Sequence, residues 1–306
     1  MPVGFIPKSE NAAVKSTSKA VSALSTDFGV WGIARHSDAA IHPYLLWDAS
    51  LERVTKNGQY YQPVNPAFWI SGYTYNFLAL APYSEDLAGI VTPVRAAGNA
   101  KDKLTFTYDL ASKYSGQTPD YAFDLLGAAA TSTVDANHDR GALEITFWHL
   151  FAQINLKVSF VDANGTPAEG TVHKMRLRNI DTDATYTISL GNDNSLDVGC
   201  VSGTLNPQTV ELNGATGTVH IIPQQITGFE LYLDYTRDNV SYQDFKINLN
   251  VSGNQTYYGS NESYNWNIVI SPKEDISFKV EVAEWESDAV SGGGLDPDGD
   301  NYIDII

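Results

Sequence analysis

The sequence contains a single cysteine, Cys200, among its 306 residues. One thiol cannot form an internal disulfide, and no Cys and His residues stand at the spacing of a zinc site. No run of apolar residues approaches the roughly 18 that a membrane-spanning helix needs. We therefore expect burial of apolar side chains to supply the stability, with no direct membrane span. Because no signal-type segment follows Met1, we expect a cytosolic protein or one whose export signal has been removed.

Basic residues are also scarce. The chain has 19 Lys and Arg against 36 Asp and Glu, which gives a formal net charge of −17. A field of that sign repels the phosphates of nucleic acids and the headgroups of anionic lipids. Neither nucleic acid nor an anionic membrane surface is therefore expected as a partner.

The familiar catalytic motifs are missing as well. The chain has no GxSxG elbow, no phosphate-binding P-loop and no GxGxxG motif. Its six histidines form neither HxH nor HExxH, and we expect His149, between Phe147 and Phe151, to be a hydrogen-bonded core residue. We predict no catalytic residues and no enzyme activity, since a hydrolase would need carboxylates that converge in a cleft.

Aromatic residues and period-two alternation dominate what is present. Seventeen Tyr and twelve Phe suit the pleated surface of a β-sheet. The longest alternating stretch, Glu144 to Val161, predicts one long strand whose even positions are all apolar. A short helix is predicted over Asp120–Thr131, and a hairpin joins Tyr264–Ile270 to Ile276–Val282. Many short, evenly spaced strands indicate an all-β protein made of β-sandwiches.

Four regions are predicted along the chain. Residues 1–26 have little apolar pattern and are interpreted as a loosely held arm with at most one edge strand. Residues 27–142 and 143–286 are interpreted as two β-sandwich domains. Residues 287–306 form an acidic tail rich in Gly and Asp.

One interpretation of this tail is a calcium site. Asp296, Asp298, Asp300 and Asp304 occupy positions 1, 3, 5 and 9 of a Ca²⁺ loop, with the Tyr302 carbonyl at position 7. Four neighbouring carboxylates repel one another unless a hard cation gathers them. The match is incomplete, because position 6 is not Gly and the sequence stops before position 12.

A second interpretation of the tail is a docking strand. Residues 302–306 alternate, with Ile303 and Ile305 on one face and Tyr302 at the start. Such a strand can pair with its own subunit or with a neighbour. A third interpretation is an unstructured acidic tail, and the first two do not exclude each other.

Six short motifs, in order, resemble the fimbrillin family of surface pilus subunits from anaerobic gut and oral bacteria. They are Phe28-Gly29-Val30-Trp31, the stretch from Trp69 to Pro82, Asp124-Leu125-Leu126-Gly127-Ala128, the stretch from Ile145 to Ile154, Ile221-Ile222-Pro223-Gln224 and Val282-Ala283-Glu284-Trp285. Each motif is weakly specific, but their order over residues 27–286 covers most of the chain.

The resemblance implies two transthyretin-like or immunoglobulin-like β-sandwich domains in tandem, with short helical insertions, in a lipoprotein exported to the outer surface. It also implies that a protease removes an N-terminal strand, so that a neighbouring subunit can donate a strand to the exposed groove. In the family this cut follows a basic residue. In this sequence the candidate cleavage residues in the arm are Lys15 and Lys19, and an Arg-specific protease would find no site before Arg35. The lipidated cysteine of the family is absent from this sequence. Alternatively, residues 20–26 are a permanent first strand or are disordered.

The leading hypothesis is therefore a structural adhesion subunit at the bacterial cell surface and outer membrane. Its expected partners are other pilus subunits, which bind by strand donation, and an unidentified surface receptor. The alternative is a surface glycan-binding module, in which aromatic rings stack on sugars. The candidate rings for that alternative are those of Trp31, Trp47, Trp69, Trp266, Trp285 and the tyrosines. No cofactor is expected, apart from calcium at the tail.

Overall fold

A computed structural model describes residues 3–8, 24, 26–57, 60–96, 101–109, 124–135, 142–192, 194–203, 208–226, 228–247, 249, 257–272 and 276–283. Strands predominate among these residues, which confirms the all-β prediction. The described part of the chain contains one α-helix, Glu85–Ile90 (α1), which begins after the N-cap Ser84. No helix in this part has the length and apolar character to cross a membrane.

The described residues form twenty-two strands. Strands β1 to β10 are Phe5–Lys8, Phe28–His36, Tyr44–Leu45, Glu52–Asn57, Tyr60–Pro63, Tyr73–Ala81, Thr92–Val94, Lys103–Asp109, Leu126–Val134 and Leu143–His149. Strands β11 to β22 are Ala152–Phe160, Thr171–Ile180, Asp183–Leu190, Leu196–Ser202, Gln208–Asn213, Thr216–Ile221, Gln224–Gln225, Glu230–Arg237, Val240–Ile247, Tyr257–Tyr258, Glu262–Ile270 and Ile276–Ala283.

These elements fall into two compact units. Among the described residues, the first unit contains those up to Asp109 together with Asp124–Leu150 and Asp183–Val201, and the second contains the rest. This division differs from the expected boundary between residues 142 and 143. Strands β10, β13 and β14 belong to the first unit. Strand β10 pairs with β1 and β9 of that unit, and β13 pairs with β8 and with β14.

The first unit is built around a closed sheet. Its strands are paired in the order β2-β4-β5-β1-β10-β9-β6, and β6 pairs with β2, so that seven strands form a ring. Strand β3 pairs with β2 outside this ring. Alternate residues of the ring point inward and form one buried cluster, which includes Phe5, Phe28, Phe77 and Phe147.

A four-stranded sheet, β14-β13-β8-β7, completes the first unit. Its strand β13 contacts β6 and β9 of the closed sheet. Successive side chains of a strand point to opposite faces of the sheet. The outer face of the closed sheet is also buried at Trp31, Leu78 and Leu80. On the four-stranded sheet, the buried rings of Phe106 and Tyr186 stack with centroids 5.3 Å apart.

The second unit is a β-sandwich. Its sheets have the orders β16-β11-β21-β22 and β15-β12-β18-β19, and a two-stranded ribbon joins β17 to β20. Both four-stranded sheets contribute to one core, with Leu156 and Trp266 from the first and Leu177 and Leu233 from the second. The predicted hairpin is present as β21 and β22, paired from Ser263↔Ala283 to Ile270↔Ile276.

Buried Arg237 forms hydrogen bonds between the two sheets of this sandwich at one end. It lies at the end of β18, and its guanidinium donates to the carbonyl oxygens of Val161 (2.6 Å) and Ile270 (2.8 Å). Those carbonyls follow β11 and end β21 in the opposite sheet. The arginine thereby satisfies backbone acceptors that would otherwise be costly to bury.

Three secondary-structure predictions are corrected. The single long strand is two strands, because β10 ends at His149 and β11 begins at Ala152. The predicted helix is wrong over its described residues, which include the start of β9, whereas residues 120–123 lie outside the described part. The N-terminal arm contains β1, which occupies an interior place in the closed sheet and not an edge.

The helix prediction failed because tertiary packing overrides propensity. The Pro119-Asp120 start and the Ala and Leu content of residues 120–131 predicted a helix, but the small side chains of Gly127 to Ala130 lie in β9, between β6 and β10. A Cβ atom on Gly127 would lie 2.9 Å from Cδ2 of Leu150, which is closer than real Cβ contacts. The side chains of this part of β9 are therefore small because neighbouring side chains, such as that of Leu150, lie close to its backbone.

Candidate strand-exchange site

Strand β1 is the element of greatest functional interest, because it completes the closed sheet from the start of the chain. It runs parallel to β10, in register from Phe5↔Leu143 to Lys8↔Thr146. On its other side it meets β5, where Phe5↔Tyr61 is the pairing found among the described residues. Removing β1 would therefore open the ring between β5 and β10.

Two apolar side chains anchor this end of the chain in the core, Phe5 in β1 and Val3 just before it. Val3 and Phe5 are both fully buried. The Phe5 ring makes edge contacts with Phe28 and Phe77, with centroids 5.7 and 5.3 Å apart. Burial of such side chains stabilises by about 1.5–3 kcal/mol each. Phe147, whose ring centroid is 5.2 Å from that of Phe28, extends the same apolar slot.

The backbone ladder of β1 includes a proline. Pro7 stands opposite Ile145 in the pairing with β10 and has no N–H group to donate. Proline is unusual within an interior strand for this reason. Pro7 thus leaves β1 with one backbone donor fewer than another residue would provide at that position.

The segment of residues 64–72, here called the cap segment, lies at the Val3 end of this slot. The Val3 N–H donates to the Ala67 carbonyl over 2.8 Å. The Ile70 N–H donates to the hydroxyl of Tyr75 over 2.6 Å, and the buried indole of Trp69 packs edge-on against the same ring at 4.8 Å. The cap segment is thus fixed to both β1 and β6.

The start of the cap segment is held by side chains of the same unit. The buried carboxylate of Glu52 accepts from the Asn65 N–H (2.6 Å) and from its Nδ2 (3.0 Å). Trp47 Nε1 donates to the Asn65 carbonyl over 2.7 Å. Since buried polar groups are stable only when paired, these bonds fix the backbone there.

The predicted cleavage residues, Lys15 and Lys19, lie outside the described residues, and their role stays a prediction. In sequence they fall between Lys8, the last residue of β1, and the start of β2. A cut at either lysine would leave β1 without a covalent link to the rest of the subunit. The first arginine is part of β2 and pairs with Asp102 (Arg35 Nη2 to Oδ1, 2.6 Å), so that it lies in ordered structure.

The predicted tail residues also lie outside the described part of the chain. These are the strand candidates Tyr302, Ile303 and Ile305 and the calcium candidates Asp296, Asp298, Asp300, Tyr302 and Asp304. Both hypotheses stay predictions. Within the described ranges, no three His, Cys, Asp or Glu side chains come together as metal ligands.

Four of the tryptophans that motivated the glycan-binding alternative are buried. Trp31, Trp47, Trp69 and Trp266 are all buried, and Trp285 lies outside the described residues. Buried indoles cannot stack on a sugar. His149 is confirmed as a hydrogen-bonded core residue, since its Nδ1 lies 2.6 Å from Asp124 Oδ2.

Sequence reasoning missed two parts of this site. One is β1, whose signal was the spacing of Val3 and Phe5 by two residues ahead of a proline. The other is the cap segment, in which the buried residues Ala67 and Trp69 alternate with the exposed residues Phe68 and Ile70. Both patterns are too short to stand out in a chain full of alternation.

The comparisons with known proteins agree with this architecture. The family described as fimbrillin-like matches residues 18–285. No curated protein sequence matches the chain. A solved fimbrial protein from Bacteroides vulgatus is 15% identical, with a TM-score of 0.55 and coverage of 93% of this chain and 99% of that chain. A candidate cell adhesion protein from Bacteroides uniformis is 17% identical, with a TM-score of 0.53 and coverage of 93% and 98%. Identities this low establish similarity of fold alone.

Proposed function

Because the chain belongs to the fimbrillin-like family, we propose that it is a structural subunit of a bacterial surface fimbria whose copies join by exchanging β1 for a neighbour's strand. Family membership supports a structural role at the cell surface. A solved structure with a similar fold is described as a fimbrial protein, which supports a place in a fimbria. The observation that carries the strand-exchange proposal is the interior place of β1 in the closed sheet.

The physical driving force for exchange follows from the slot. Loss of β1 would uncover the rings of Phe28, Phe77 and Phe147 together with unpaired backbone groups of β5 and β10. An incoming strand would satisfy both, since its backbone completes the ladder and alternate side chains fill the pocket. Each large anchor contributes about 1.5–3 kcal/mol, so that a few anchors suffice for a long-lived junction.

We propose the tail as the donated strand. Ile303 and Ile305 have the same two-residue spacing as Val3 and Phe5, so one face of the tail carries two large apolar side chains. Residues 287–306 can span about 65 Å when extended at roughly 3.3 Å per residue. That length suffices to reach a neighbouring subunit.

Limited trypsin digestion tests the proposal. Purified protein is trimmed, the new N-terminus is sequenced, and the product is run unheated on a denaturing gel. We expect cuts after Lys15 or Lys19 and a ladder of oligomers. The Lys15→Gln/Lys19→Gln variant should resist the cut and stay monomeric, and trimmed Ile303→Asp/Ile305→Asp should not form a ladder. A trimmed wild-type protein that stays monomeric would overturn the proposal.

A further inference from the structure

The cap segment carries three large apolar side chains that are exposed. Val64, Phe68 and Ile70 are 57%, 58% and 48% exposed, whereas Ala67 and Trp69 point inward and are buried. Three large apolar side chains on one short segment form a patch of the kind that marks contact with another protein. Val64, Phe68 and Ile70 together are here called the cap patch.

The cap patch lies in a stretch without formal charge. Residues 57–84 contain no Asp, Glu, Lys or Arg, although the chain as a whole carries a net charge of −17. Two copies of such an acidic protein repel each other over most of their surfaces. An uncharged apolar patch is a place where two copies can approach without adding like charges, which favours a second copy as the partner.

The position of the cap patch relative to β1 links it to the donor subunit. The cap segment accepts the N–H of Val3, so it lies at the end where β1 enters the sheet. The opposite end of the slot lies beside the β4–β5 hairpin, whose strands meet at Asn57↔Tyr60. There the exposed residues of β4 are the polar Lys56 and Asn57.

The direction of a donated strand decides which end the donor subunit occupies. The tail follows the folded part of its own subunit, so the donor's body is connected to the first residue of the inserted strand. A strand that runs like β1, parallel to β10, has its first residue beside the cap segment. A strand in the opposite direction would place the donor's body beside the β4–β5 hairpin.

We propose that the donated strand runs in the direction of β1 and that the cap patch of the acceptor contacts the body of the donor copy. This inference rests on the proposed strand exchange. The strand then supplies most of the binding, and the cap patch selects the orientation, because only one insertion direction brings apolar surface under the donor. The polar hairpin end stays in solvent.

Directional cross-linking tests the inference in the Cys200→Ser background. The donor carries Lys15→Gln/Lys19→Gln, so that it keeps β1, together with Asn301→Cys. The trimmed acceptor carries Ile303→Asp/Ile305→Asp and either Phe68→Cys or Asn57→Cys. If Ile303 and Ile305 take the places of Val3 and Phe5, residue 301 lies at the cap segment. We expect a disulfide-linked dimer with Phe68→Cys and none with Asn57→Cys on heated, non-reducing gels.

Unheated gels of the same samples separate the two proposals. Absence of any dimer in unheated samples would contradict strand exchange itself. A dimer present before heating that cross-links through Asn57→Cys, or through neither cysteine, would overturn the direction and the cap contact while leaving strand exchange intact.

Charge placed on the cap patch gives a second measurement. Trimmed Phe68→Asp/Ile70→Asp should have a dissociation constant for subunit association at least about tenfold higher than wild type, because burial of one aromatic ring is worth more than the 1.4 kcal/mol that corresponds to tenfold. The matched control is Val201→Asp/Val240→Asp, which places the same charges on side chains that are 72% and 51% exposed elsewhere. Equal dissociation constants for the two variants would overturn the cap contact.

Discussion

Phe5 and Phe68 have the same side chain and lie at the same end of one unit, yet their environments are opposite. Phe5 is fully buried in the core of the closed sheet, whereas Phe68 is 58% exposed on the cap segment. A buried aromatic ring stabilises the fold that contains it, whereas an exposed ring contributes little until a partner covers it. Within one site, we therefore expect Phe5 to contribute to folding and Phe68 to contribute to assembly.

We expect Phe5→Ala to lower the free energy of unfolding of the intact chain by about 3–5 kcal/mol, because it leaves a cavity between Phe28 and Phe77. Phe68→Ala should change it by less than about 0.5 kcal/mol. Urea unfolding followed by tryptophan fluorescence measures both variants. Equal destabilisation of the two variants would show that β1 is not anchored as described.

At the scale of elements, period-two alternation predicted most strands but not where one strand ends and the next begins. Ile145 and Phe147 of β10 face the first core at odd positions, whereas Ile154 and Leu156 of β11 face the second core at even positions. Leu150 and Phe151, between the two strands, are also buried, so the sequence is apolar across the junction. Nothing local in the sequence marked the switch of face, because it depends on which core each strand joins.

Helix α1 shows a signal that sequence reasoning overlooked. Ser84 accepts a hydrogen bond from the Leu87 N–H over 3.1 Å, and Glu85 and Asp86 follow in the first turn. A capping serine before acidic residues is a standard helix start. The helix has one buried residue, Leu87, so its apolar pattern was too short to be noticed.

The outer face of β12 and β18 carries a charged pair that makes stability depend on pH. Arg176 donates to both carboxylate oxygens of Asp234, with Nη1 to Oδ2 at 2.8 Å, and the Asp244 N–H donates to the same carboxylate over 2.8 Å. Chiefly the arginine, and then this N–H, lower the pKa of Asp234 to about 2. A lowered pKa stabilises the fold above the unfolded value near 4, and this contribution is lost as the pH falls towards 2.

We expect Asp234→Asn to remove part of the loss of stability between pH 4 and pH 2. The difference from wild type should be about 1 kcal/mol or less at pH 7, because the pair lies near the surface. Urea unfolding at several pH values measures the slope. Asp197→Asn, at an exposed and loosely paired carboxylate, is the control and should follow wild type. An unchanged acid slope in Asp234→Asn would assign the dependence to other groups.

At the scale of the whole molecule, the all-β class and the fimbrillin-like resemblance were predictable from the sequence, whereas the division into units was not. Strand β13 lies in the second half of the chain but pairs with β8, from Asp183↔Asp109 to Ser189↔Lys103. Such distant pairings depend on the complete set of contacts, and no local composition change announces them. The same holds for β1, whose neighbours β5 and β10 are far apart in sequence.

The net charge of −17 sets the expected salt dependence of assembly. The proposed junction consists of an apolar slot and an uncharged cap patch, so salt should weaken repulsion between subunits without weakening their contacts. Trimmed wild-type protein should therefore form oligomers faster in about 150 mM NaCl, where the Debye length is near 8 Å, than in about 10 mM, where it is near 30 Å. Light scattering measures the rate, with EDTA present so that calcium binding by the tail makes no contribution. Slower assembly at the higher salt concentration would mean that opposite charges hold the subunits together, which an apolar junction does not require.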